Sequence, residues 1–379
     1  MEKNRKSKKN GKLKGFLVML ITIIGSAAVG IFIADTIFAL LGDNMGFAEY
    51  FVWLCLYLLV LYAAHFLQII IHESGHLVFG ILTGYKFSSF RIGNAILTKD
   101  GEKFRIGYYS LAGTAGQCLL YLPEENEKIP YVLYNLGGVI MNIIFSSVSF
   151  ALWLAFPDIP VISVALVCLF ATGLMIALTN GVPMSVGMVN NDGLNALSLG
   201  KDPHALRSFA NQLRVNARMA RGERLRDMPC ELFELADDAD AGNTINAAIR
   251  VFSCNRLMDE HRFSEAAELC KILIADKAVL PIYKNMLVCD LAFCEMVSGE
   301  RERAASRFNK ELEKFLSLMS KNPGIIRTRY AHALACEKDM RKAEKHLESF
   351  EKLAKKYPYS GDIESERELL NEIRTAVNL

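Results

Sequence analysis

The chain has 379 residues, 52% of them hydrophobic and 22% charged, with a formal net charge of +2. Mixed acidic and basic residues with no nucleic-acid motif argue against a nucleic-acid partner, and the length suggests about two domains. Nine cysteines, an odd number with no CxxC pair, exclude a disulfide framework and fit reduced thiols.

The chain opens on a basic tail, residues 1–14, with seven Lys or Arg against one Glu. Four long apolar segments follow: Gly15 to Leu41 (broken by Asp35), Tyr50 to Ile71, Tyr131 to Phe156 and Val161 to Leu178. Each is long enough to qualify against the roughly 20 apolar residues that a helix needs to cross a bilayer. The first is too long for a signal peptide and lacks a clear small-residue cleavage site, so it reads as a retained anchor. The turnarounds Gly42 to Glu49 and Pro157 to Pro160 carry no Lys or Arg. Lys86, Arg91, Lys99, Lys103, Arg105 and the tail are basic. Positive residues stay on the cytoplasmic side, which predicts a multi-pass protein of the cell membrane with both termini inside.

Between the second and third segments, Phe87 to Tyr109 alternates around an Asp100-Gly101 turn and reads as a β-hairpin. Its edge could accept an extended peptide by strand addition.

The second segment runs into His72-Glu73-Ser74-Gly75-His76. On a helix, residues four apart share a face, so the two imidazoles can occupy two corners of a tetrahedral zinc site. Glu73 lies beside them as general base for a zinc-activated water, the HExxH arrangement of metallopeptidases. Titratable residues after an apolar run are costly there and point to function. A catalytic zinc needs a third protein ligand. Asp192, following the fourth segment on the same cytoplasmic side, is the candidate; Asp100, Glu124, Glu125 and His204 are the rivals. His65, seven residues before His72, reads as a hydrogen-bonded interior histidine.

These motifs make residues 50–195 resemble the site-2 protease family of intramembrane zinc metallopeptidases. HESGH carries the likeness first. YNLGGVIMNII follows, with Gly137, Gly138 and Asn142 matching a glycine-and-asparagine pattern. NGVPMSVGMVNNDG completes it, with Asn180 and Pro183 followed by Asp192-Gly193. The resemblance implies one zinc on His72, His76 and Asp192, Glu73 as catalytic base, and cleavage of a membrane-spanning or membrane-adjacent protein. It also implies substrate positioning by Asn142, with Gly137, Gly138, Asn180 and Pro183 in the surrounding motifs. Val139 stands where a proline is common, Asn191 where leucine is common, and the stretch from Pro183 to Asp192 is longer than usual.

Beyond residue 200 the chain becomes charged and helical. HRFSEAAELCKIL, GERERAASRFNKEL and KDMRKAEKHLESF align on Ala266, Ala304 and Ala343, spaced 38 and 39 residues apart. This resembles degenerate tetratricopeptide repeats, which stack into surfaces for protein partners. The expected fold is mainly α: a polytopic helical membrane core with a small β-hairpin insertion, then a soluble helical-repeat domain. Its divisions are a tail (1–14), a transmembrane metallopeptidase domain (15–195), a helical connector (196–246) and a tetratricopeptide-like domain (247–379). The expected function is zinc-dependent hydrolysis of peptide bonds near the cytoplasmic face. The expected partners are a membrane protein or peptide substrate, the bilayer, and a cytosolic protein on the repeats. The alternative is a catalytically silent membrane scaffold that works through the repeats.

Overall fold

The structure is a computed structural model; it describes residues 17, 20–21, 23–36, 38–39, 46–100, 103–110, 114–123, 128–156, 160–186, 189–240 and 242–378. The chain forms two compact units, each discontinuous in sequence. One comprises residues 1–84 and 130–198, the other residues 85–129 and 199–379.

In the first unit, three described helices are long and apolar enough to span a membrane: Phe47–Leu82, Tyr131–Ala155 and Val161–Gly181. Helix α1, Ile23–Thr36, is a shorter apolar helix; the rest of the first expected span lies largely outside the described residues. Helix α2, Phe47–Leu82, has 36 residues. At 1.5 Å per residue it is about 54 Å long, well beyond a hydrocarbon core of about 30 Å. The helix extends past the expected segment, which ended at Ile71: it runs through the HESGH motif and six further residues, Leu77 to Leu82.

The packing inverts the usual pattern of a water-soluble protein. Large apolar side chains such as Phe51, Leu59 and Ile143 are exposed. The buried stripe of α3, Tyr131–Ala155, is mostly small and polar: beside Tyr134 and Val139 it holds Asn135, Gly137, Gly138, Asn142, Ser146 and Ser149. Helices in lipid gain little from burying apolar surface and associate through close contact and hydrogen bonds, which small and polar residues supply. Gly75 and Gly137 bring α2 and α3 together: a Cβ on Gly75 would lie 2.2 Å from the Gly137 carbonyl oxygen. Helix α4, Pro160–Gly181, completes the bundle.

The second unit begins with an antiparallel sheet of four strands rather than a lone hairpin. Strands β1 (Lys86–Ile92), β2 (Ala95–Asp100), β3 (Lys103–Tyr108) and β4 (Gly116–Tyr121) are ordered β3-β2-β1-β4. The expected pairing across residues 101–102 is present, with Asp100 opposite Lys103. A second tight turn joins β1 to β2 at Gly93-Asn94, where Gly93 has φ +58. Strand β3 is an outer strand with Phe104 and Ile106 exposed.

Helix α6, Pro203–Ala220, packs on this sheet. It is N-capped by Asp202 and carries Pro203 in its first turn. Its Arg214 donates to the Leu122 and Pro123 carbonyls at the end of β4. The remaining helices are α7 (Thr244–Asp259), α8 (Phe263–Ala275), α9 (Pro281–Val297), α10 (Arg301–Ser306), α11 (Lys310–Leu318), α12 (Pro323–His332), α13 (Met340–Ala354) and α14 (Ser360–Ala376). The middle expected repeat helix is broken into α10 and α11. Asn309 caps α11 by accepting from the Glu311 and Leu312 N–H groups. Ala266, Ala304 and Ala343 all belong to one buried cluster.

Candidate metal centre

His72 and His76 lie one turn apart on α2, with their Nε2 atoms 3.3 Å apart. Asp192 Oδ2 is 3.1 Å from His72 Nε2 and 3.4 Å from His76 Nε2. A tetrahedral zinc with bonds of about 2.0–2.1 Å separates its ligand atoms by about 3.3 Å. The triangle formed by these three atoms has that edge length. It is the one group of three potential metal-ligand side chains at such spacing among the described residues. Both histidines are buried, and Asp192 is partly open to the surroundings. The donor set of two imidazoles and a carboxylate therefore fits a catalytic zinc with one position left open.

The opposite ring nitrogens are also occupied. His76 Nδ1 lies 2.8 Å from the Tyr134 carbonyl oxygen, and His72 Nδ1 lies 2.6 Å from Asn142 Oδ1. An acceptor at Nδ1 holds the proton there and leaves the Nε2 lone pair for a metal. Gly138 makes room for this arrangement, since a Cβ on it would sit 2.6–2.7 Å from the His72 ring.

Asp192 is delivered by a local device. After α4 the chain forms a two-stranded hairpin, Ser185–Val186 with Val189–Asn190, which takes up the longer stretch before Asp192. Asn191 then ties the loop shut. Its Oδ1 accepts from the Met184 and Leu194 N–H groups, and its Nδ2 donates to the Thr179 and Val182 carbonyls. The Leu194 bond also caps helix α5, Asp192–Ser198. Gly193 follows because any side chain would strike α4: a Cβ there would lie 2.0 Å from the Gly181 carbonyl oxygen. These contacts give Asn191 and Gly193 a structural reason at positions where a leucine or a larger residue could not do the same work.

The remaining expected residues divide. Glu73 is buried next to His72 on α2. Gly137 and Gly138 stand behind the histidines, and Asn142 stands behind His72. The Asn180 amide folds back on the Ile176 carbonyl within α4, and Pro183 follows the end of that helix. Neither side chain is directed to the triad by a hydrogen bond. Among the rivals, His204 pairs with Asp238 in the other unit, and Glu124 and Glu125 lie outside the described residues. His65 is exposed on α2 rather than an interior residue, although seven residues turn a straight helix by only about 20°; the buried polar position in that run is Gln68. Three groups that hold the site carry no sequence motif for that role: Gln68, the Tyr134 carbonyl, and Asn191, which showed only as a departure from the family pattern. Gln68, a lone amide in an apolar run one turn before His72, was the one visible signal.

No curated protein matches the chain, and no solved structure matches it. The family comparison does: residues 60–355, more than half of the chain, match Peptidase family M50. The chain's three long apolar helices, its His-His-Asp group and this match agree, and the chain belongs to peptidase family M50, a membership that suggests an intramembrane metallopeptidase.

Proposed function

We propose that the protein is a zinc metalloendopeptidase that hydrolyses peptide bonds of membrane-spanning or membrane-adjacent proteins near the cytoplasmic face. The observation that carries this reading is the triangle of His72 Nε2, His76 Nε2 and Asp192 Oδ2, with edges of 3.1 to 3.4 Å. His72, His76 and Asp192 hold the zinc. When bound, zinc lowers the pKa of water towards 7 and polarises the scissile carbonyl. Glu73 takes the proton of the attacking water and hands it to the departing amine. Burial of Glu73 and both histidines keeps bulk water away and strengthens these interactions.

The positive-inside pattern supports cytoplasmic termini and a site served from that side. The buried alanines Ala266, Ala304 and Ala343 support reading the C-terminal helices as tetratricopeptide-like pairs. We assign those helices the recruitment of a substrate or a regulatory protein. Expression of wild type and Glu73→Gln in the same cells tests the proposal. Fragments of membrane proteins should accumulate with wild type alone, because the variant keeps its zinc and loses its base. Identical fragment patterns would contradict the mechanism.

A further inference from the structure

We infer that Gln68 and Asn142 form a positioning relay that fixes the proton of His72 at Nδ1 and so aims its Nε2 lone pair at the metal. This rests on the zinc reading above and extends it to two residues that touch neither metal nor reacting atoms. Both are fully buried.

The relay begins at a group whose polarity cannot change. The main-chain carbonyl of Leu169 on α4 only accepts, and Gln68 Nε2 donates to it at 3.0 Å. That bond decides which end of the Gln68 amide is oxygen. Gln68 Oε1 therefore faces Asn142, whose Nδ2 donates to it at 2.8 Å and to the Gln68 main-chain oxygen at 2.9 Å. Both Asn142 N–H groups are then used, and a flipped amide would press its oxygen against two acceptors. Asn142 Oδ1 is left to face His72 Nδ1 at 2.6 Å. Imidazole can present a lone pair at one nitrogen only when its proton is on the other. The helices are shaped around the relay: a Cβ on Gly173 would lie 2.6 Å from Gln68 Nε2.

With every polar atom of its amide engaged, Asn142 acts through His72 and not on the substrate. Partners of this kind change metal affinity about 10–100-fold when lost. Losing Gln68 leaves one Asn142 N–H without an acceptor, in a place where water cannot replace it.

The test measures zinc dissociation constants by chelator competition on full-length protein in detergent. The proteins are wild type, Gln68→Met, Gln68→Glu, Asn142→Leu and the double variant Gln68→Met/Asn142→Leu. Gln68→Met should weaken zinc binding about tenfold and Asn142→Leu more, while the double variant should match Asn142→Leu alone, because both act along one path. Gln68→Glu should restore binding to within a few-fold, since a neutral carboxyl can still donate to Leu169 and accept from Asn142. Losses that multiply, or zinc binding within about twofold of wild type in folded Gln68→Met, would overturn the relay. Histidine ¹⁵N spectra of the zinc-free protein separate this from the zinc reading. A slowly exchanging Nδ1 proton on His72, removed by Asn142→Leu, supports the relay whether or not zinc binds. Its absence in wild type overturns the relay even in a zinc enzyme.

Discussion

A carboxylate and two imidazoles meet at 3.1 to 3.4 Å only if each side chain is held from behind. For the histidines the holders are main-chain and amide oxygens. For Asp192 the holder is Asn191, whose side chain makes four hydrogen bonds to the loop around it. Asn191→Ala removes the cap of α5 and leaves the Thr179 and Val182 carbonyls without this donor. It should weaken zinc binding about tenfold with His72 and His76 intact, as read by chelator competition; unchanged affinity would show that the loop holds Asp192 without it. The three side chains that meet here were visible in the sequence as candidates, because HExxH spacing and a following Asp-Gly carry their chemistry openly. Asn191 was not, because its bonds run to main-chain groups that become neighbours only once the hairpin at Ser185–Asn190 has folded.

Helices are set by two different rules in this chain. In the membrane unit, glycines and buried polar groups bring helices together, and Gly137, which the sequence marked only through its family motif, lies at the close approach of α2 and α3. In the other unit, buried charge ties distant helices. Arg327 on α12, 3% exposed, pairs with Asp290 on α9 and Glu366 on α14 and lies over the Phe293 ring. Removing one partner of a buried pair strands the others, at a cost of about 3–5 kcal/mol. Arg327→Met should lower stability by that order in thermal or denaturant unfolding; a change below about 1 kcal/mol would mean that the pair does not brace the helices. Such pairings join residues far apart in sequence, so periodicity cannot reveal them. The sheet was half legible for a similar reason. Alternation exposed β2 and β3, but β4 pairs with β1 across an intervening hairpin, and its association with α6 follows from contact, not chain order.

Over the whole molecule, charge patterning separated an apolar first half from a charged second half. The compact units cross that boundary, since residues 85–129 group with the C-terminal helices. At the start of α14, burial pushes the Asp362 carboxyl up to about 7, with the Glu366 and Asp259 carboxylates adding to it. Burial likewise raises Glu366 to about 7, against the opposing charge of Arg327. A carboxyl whose folded value lies above its unfolded one favours folding while protonated. That contribution is complete below the ordinary carboxylate range and is lost as pH rises through about 7. Wild type should therefore gain thermal stability relative to Asp362→Asn on going from pH 8 to pH 5; a constant difference between the two proteins would contradict this. Metal analysis of detergent-purified protein tests the metal centre without need of a substrate. Close to one zinc per chain is expected in wild type and in Glu73→Gln, and none in His72→Ala/His76→Ala. Undiminished zinc in that double variant would contradict the metal centre.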